Sequence, residues 1–180
     1  AIFSPEYYNA SNLKIVNEFI PKLNSNQWVF ALGLVPWVSL YYSYGIRRSI
    51  LASGTHATIF PISIINNIVQ NCNSITDMDV YVNTRCVRYF YDYPLVTQTY
   101  PETENSKYWC KDFGFFGSAM RNTAIGINRL FGLDKQSEPG TTILYNINKI
   151  LCDMLIPLFI IYILFLIVKK VILLNIYKYG

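Results

Sequence analysis

From Ile150 to Val168 the chain reads ILCDMLIPLFIIYILFLIV, an almost unbroken apolar run. A bilayer core about 30 Å thick is crossed by roughly 20 helical residues at about 1.5 Å each, and this run has that length. A helix that is apolar on every face has no wet side to offer, so it belongs in lipid rather than on the outside of a soluble domain. Asp153 falls in its first turn, near the headgroups and the positive end of the helix dipole. Pro157 is also close to the start, where it does least harm. Lys169 and Lys170 stand where a span of this length ends, and lysine stems can reach back to the interface. The remaining VILLNIYKYG is too short to cross again, so it is expected to extend the helix along a surface or a neighbour.

Residues 28–46, WVFALGLVPWVSLYYSYGI, form a second uncharged stretch of similar length. Trp28 opens it, Tyr41, Tyr42 and Tyr44 close it, and Arg47 and Arg48 follow, the order of an interfacial aromatic belt and a basic flank. Pro36 is tolerated more readily in membrane helices than in soluble ones. A second transmembrane helix is the reading that follows, weighed against a buried helix of a soluble domain. The two spans disagree about orientation. Lys169, Lys170 and Lys178 outnumber Lys149, which puts the C-terminal tail on the positive side, yet Arg47 and Arg48 claim that side for the end of the first stretch.

Between and around these runs the pattern is mixed. Leu13, Val16, Ile20 and Leu23 recur at helical spacing, with Ser11 as N-cap and Pro21 as a kink. Residues 57–69 are too short to span and hold Pro61 and two asparagines, so they read as a buried or interfacial segment. Residues 72–113 carry β-branched and aromatic residues in loose alternation, Val80 and Val82 among them, and read as short strands and loops. Residues 114–133 show an apolar stripe of Phe116, Met120, Ala124, Ile127 and Phe131. Residues 134–142 read as a linker.

The expected fold is therefore a mainly α membrane protein. It has a C-terminal transmembrane helix, a second one near the N-terminus, amphipathic helices, and a small aromatic-rich extended or irregular section between them. The expected organisation is an amphipathic segment over 1–27, a transmembrane helix over 28–46, an extramembrane section over 47–142, and a C-terminal span with a basic tail over 143–180.

Sequence chemistry narrows the function chiefly by exclusion. His56 is the single histidine, and one His builds neither a zinc site nor a bis-His haem site. Ser53 and Thr55 beside it lack an orienting carboxylate. Asp77 and Asp79 lack the further ligands and glycine of a calcium loop, so a turn is the better reading. The cysteines have no C-x-x-C spacing; Cys72, Cys86 and Cys110 share one section and could supply one disulfide, while Cys152 reads as a packed residue. The net charge of +4 is too small for a nucleic-acid stripe. No catalytic, cofactor or metal site is expected.

Charged residues make up 14% of the chain, well below the roughly 25% of ordinary soluble domains, and 15 tyrosines and 11 phenylalanines accompany them. A surface short of charge and rich in aromatics suits a protein covered by other proteins. The expectation is a non-enzymatic accessory subunit of a multi-subunit membrane complex in the mitochondrial inner membrane, of the respiratory-chain or ATP-synthase kind. The alternative is a viral or cell-surface protein with a C-terminal anchor. Lys169, Lys170, Arg47, Arg48, Arg121 and Arg129 are the expected contacts to anionic lipids or partner subunits.

Overall fold

Residues 28–46 are strands, not a helix. The computed structural model describes residues 1–23, 27–54, 57–75, 77–100, 115, 118–119 and 121–179, with side chains as far as Lys170. In chain order the elements are β1 (Ile2–Phe3), α1 (Ala10–Phe19), β2 (Trp28–Ala31), β3 (Val35–Ser43), β4 (Ile46–Ser53), β5 (Thr58–Ile59), α2 (Ile62–Gln70), α3 (Met78–Arg85), β6 (Val87–Tyr91), β7 (Val96–Thr97), a helical stretch α4 over 121–130, and α5 (Gly140–Tyr179). Strands β3-β4-β6-β2-β5 form one sheet, and β1 and β7 form a small second one. The expected mainly α class is thus corrected to mixed α/β, and the expected N-terminal span is withdrawn.

The physical reason lies in residue type and chain reversal. Tryptophan, valine, phenylalanine and tyrosine fit a pleated, half-buried surface, and a short apolar run cannot separate helix from strand by period alone. The uncharged length arose because two strands and the turn between them were read as one element. Pro36, which cannot donate to a ladder, sits in the edge strand β3, where that loss is tolerated. The β3–β4 hairpin reverses at Tyr44-Gly45, and Gly45 adopts φ +70, a backbone conformation that glycine accepts without strain.

The pairings set two faces. β3, β4 and β6 are successive antiparallel neighbours; β6 and β2 run parallel, with Val29 opposite Arg88 and Phe30 opposite Tyr89. On one face Phe30, Ile46, Tyr89 and Tyr91 pack with Val16 and Phe19 of α1. On the other, Val29 meets Ile64 of α2 and Val82 of α3, while Ala31, Ala52 and Phe90 meet Tyr145 of α5. Ile127 and Phe131 join Val35, Leu133 and Leu144 in a further cluster. Each fully buried side chain of this size stabilises by roughly 1.5–3 kcal/mol.

Caps explain most of the remaining boundaries. Asn9, not Ser11, caps α1, its side chain accepting from the Asn12 N–H at 3.0 Å. Asp77 caps α3 through the N–H groups of Asp79 and Val80, which turns the expected strand around Val80 and Val82 into a helix. α5 begins at Gly140, inside the expected linker. A Cβ there would collide with the Phe131 carbonyl, so only glycine admits this close approach.

Candidate functional site: where the sheet meets the long helix

α5 has two halves with opposite surroundings. Thr141, Leu144, Tyr145, Asn148 and Cys152 recur on one face and are buried against the domain. After Cys152 no residue as far as Lys170 is buried. Gly140–Lys170 passes the length and composition test for a membrane span, and only 6% of its most apolar window is covered by the protein. A core helix of a soluble domain would be mostly covered, and among the described residues nothing covers this half.

The docked half runs beside β3 in the same direction. The Leu34 N–H donates to the Tyr145 hydroxyl, the Asn148 side-chain amide donates to the Trp37 carbonyl at 3.0 Å, and the Ser39 N–H donates to Cys152 Sγ at 3.4 Å. The helix thereby satisfies backbone groups that the edge strand would otherwise leave open.

A cluster of four charges closes this contact. Arg47 of β4 is 1% exposed, and its guanidinium grips Asp153 of α5 with both Nη atoms, at 3.0 and 2.6 Å. Its Nε donates to Ser39 Oγ at 3.0 Å, and Ser39 Oγ in turn donates to Asn148 Oδ1. Asp92, just after β6, lies 3.8 Å from Arg47 Nη1 and 3.3 Å from Lys149 Nζ. The Lys149 ammonium also stands 5.1 Å from the centre of the Tyr93 ring. Two cations face two carboxylates, so the cluster is neutral, and every nitrogen of Arg47 is committed to a neighbour. Bidentate geometry makes this the strongest kind of ion pair. It couples the sheet to the helix within one turn of the apolar run.

A second arginine on the same sheet face is held less well. Arg88 is 2% exposed; its Nη2 lies 4.0 Å from Asp79, and neither Nη atom has a hydrogen bond. Burial pulls its pKa below the usual arginine value, with Asp79 opposing. Asp79 also accepts the Gly54 N–H at 2.8 Å.

The residues singled out from the sequence scatter. Arg47 is inside the cluster, Arg48 is exposed on β4, Arg121 is half-buried and Arg129 exposed on α4, and Lys169 and Lys170 are exposed on α5. Cys72 and Cys86 are free thiols, exposed and half-buried, and Cys152 is free and buried. Burial pushes the Cys86 thiol up, with Arg88 opposing. His56, Thr55 and Cys110 lie outside the described residues, as do Phe116 and Met120. Ser53 Oγ accepts the Trp37 ring N–H at 3.0 Å and is thus occupied structurally. Among the described residues no group of three or more His, Cys, Asp or Glu side chains could hold a metal ion. A groove of about 680 Å³ between α2 and α3 is lined by Asn67, Asn71, Asp77, Tyr81, Thr84 and Arg85, among others.

Ser39, Asp92, Asn148 and Lys149 were not singled out from the sequence. A signal was present: Lys149 and Asp153 lie one turn apart at the head of an otherwise apolar helix, where unpaired charges would be costly.

The chain matches no protein-family model, no curated protein and no solved structure.

Proposed function

We propose that this protein is a non-catalytic, membrane-anchored subunit of a larger membrane assembly, with α5 as its span and the α/β domain held directly against the bilayer. One observation carries the reading: the same helix is docked by a neutral, bidentate charge cluster on one half and left apolar and uncovered on the other. Such a joint fixes the orientation of a domain relative to a membrane. Every nitrogen of Arg47 is consumed by the joint, which supports a positioning role over substrate chemistry.

The span has a natural end. From Met154 to Val168 is about 15 residues, or about 22 Å of helix. Moving Lys169 and Lys170 to the bilayer centre instead would cost about 2.5–3.5 kcal/mol each, so the pair belongs at the far interface. There they meet anionic headgroups or a partner's carboxylates. For the compartment we keep the mitochondrial inner membrane, on composition alone. Free thiols at Cys72 and Cys86 fit this reading better than a disulfide-bearing cell-surface or viral protein.

Gentle detergent extraction of the native protein, followed by native electrophoresis and identification of co-migrating chains, tests the proposal. A hetero-oligomeric band containing other membrane proteins is expected. A solitary, stable monomer would overturn it.

A further inference from the structure

The end of the β3–β4 hairpin lies at the level where α5 leaves the domain, and a short chain of contacts fixes that placement. The Asp92 N–H donates to the Gly45 carbonyl at the hairpin turn, 2.9 Å away. Asp92 is also the carboxylate shared by Arg47 and Lys149, and Arg47 grips Asp153. The turn is therefore tied, through one residue, to the helical turn that precedes the uncovered run. β3 and α5 advance in the same direction, so the strand beyond Ser39 moves toward the apolar half of the helix, not away from it.

The residues at this end are unusual for a water-facing tip. Tyr41 is 62% exposed, Tyr44 80%, and Tyr42 and Leu40 are also exposed. Tyr41 pairs with Arg47 across the hairpin, and directly opposed residues share a face, so Tyr41 stands on the sheet face that α5 crosses. Leu40 pairs with Arg48, whose exposed cation lies at the same end of the sheet. An apolar ring with a polar tip matches the lipid headgroup layer, where tyrosine is enriched.

Span length points the same way. The uncovered apolar part of α5, about 22 Å long, is shorter than a hydrocarbon core of about 30 Å. No stalk separates the domain from the bilayer, and the turn carrying Asp153 must approach the headgroups. Whatever lies level with that turn then touches lipid.

We propose that the hairpin tip, through Tyr41 and Tyr44, is a second membrane contact that seats in the headgroup layer of an anionic bilayer, with Arg48 on the opposite face of the same end of the sheet. The tip thereby fixes the rotation of the domain about the helix axis, which one span alone leaves free. The inference rests on α5 being a span, and the test separates the two.

The full chain is reconstituted in phosphatidylcholine vesicles containing phosphatidylglycerol, with the photo-crosslinker p-benzoylphenylalanine placed singly at Tyr41, Tyr44, Phe159 or Val69. Phe159 lies in the uncovered half of α5, and Val69 is exposed on α2, which packs on β2 near the edge of the sheet opposite β3. Mass spectrometry then counts lipid adducts. Positions 41 and 44 are expected to exceed position 69 by at least about fivefold, as an interfacial site should, with position 159 also labelled. Lipid adducts at 159 but only background at 41 and 44 overturn the hairpin proposal and leave the span intact. No adducts at 159 overturn the span reading itself. Crosslinks from 41 and 44 to a second copy of the chain, in place of lipid, make the tip a protein interface and also overturn the proposal.

Discussion

Replacing Asp153 with alanine strands the Arg47 guanidinium inside the protein. Removing one partner of a buried ion pair costs about 3–5 kcal/mol, because the remaining charge stays desolvated. Two features reduce that figure here. The Asp153 side chain is 38% exposed, so part of its attraction is already screened by solvent, and Asp92 remains 3.8 Å from Arg47 Nη1. The expected loss is about 2–3 kcal/mol, which in a folded unit of this size lowers Tm by about 5–10 °C. The double replacement Arg47→Met with Asp153→Ala removes both charges and leaves Lys149 and Asp92 as a neutral pair at 3.3 Å. Apolar substitution of a whole buried pair is often neutral, so the double variant should lie within about 1 kcal/mol of the parent. The coupling between the two sites should therefore be at least about 2 kcal/mol. Unfolding of the full chain in mild detergent, followed by tryptophan fluorescence, reads this directly, because the Trp37 carbonyl accepts from Asn148 at the joint. An Asp153→Ala variant with Tm within about 1 °C of the parent, or a double variant as unstable as the two singles summed, would refute the account of the joint.

Arg88 should behave oppositely to Arg47. Its guanidinium is buried with a distant carboxylate and no hydrogen bond from either Nη, so Arg88→Met should be neutral or stabilising by up to about 1–2 kcal/mol in the same unfolding assay; a loss above about 2 kcal/mol contradicts this. The thiols should separate by reactivity. Burial raises the Cys86 thiol pKa, so at pH 8 less of it is thiolate than for an ordinary cysteine, and iodoacetamide should label exposed Cys72 at least about tenfold faster. The gap should narrow as pH rises through the raised value and Cys86 ionises; equal rates at pH 8 would count against the burial of Cys86.

Period and length read different parts of this chain with different success. The helix through the apolar run from Ile150 is legible because the run is continuous over about five turns. The segment from Trp28 to Ile46 misled for a definite reason. Its length and lack of charge are properties of a sum, two strands and their turn, and strand pairing is not written in local sequence. The pairing of β2 with β6, 59 residues and two helices away, is what makes Val29 and Phe30 core residues. Tyr41 and Tyr44 illustrate the same point at the site: their composition announces an interface in either reading, but only the hairpin sets where they stand. Arg47 looked like a headgroup contact next to a supposed span, and became the buried hub of a charge cluster once β4 brought it under α5.

The sequence by itself determined that the C-terminal half of α5 is apolar on every face, because that property is summed along the helix and needs no knowledge of partners. The glycine at the hairpin turn and the Asp77 cap are decided within four residues, yet from sequence alone Gly45 falls inside a span and Asp77 in a turn, because the elements they bound are misassigned. Only the tertiary structure decided what the charges are for. Lys149 and Asp153 are separated from Asp92 and Arg47 by more than fifty residues of chain, and an ion pair in low dielectric depends on distances of a few ångströms that sequence spacing does not hold.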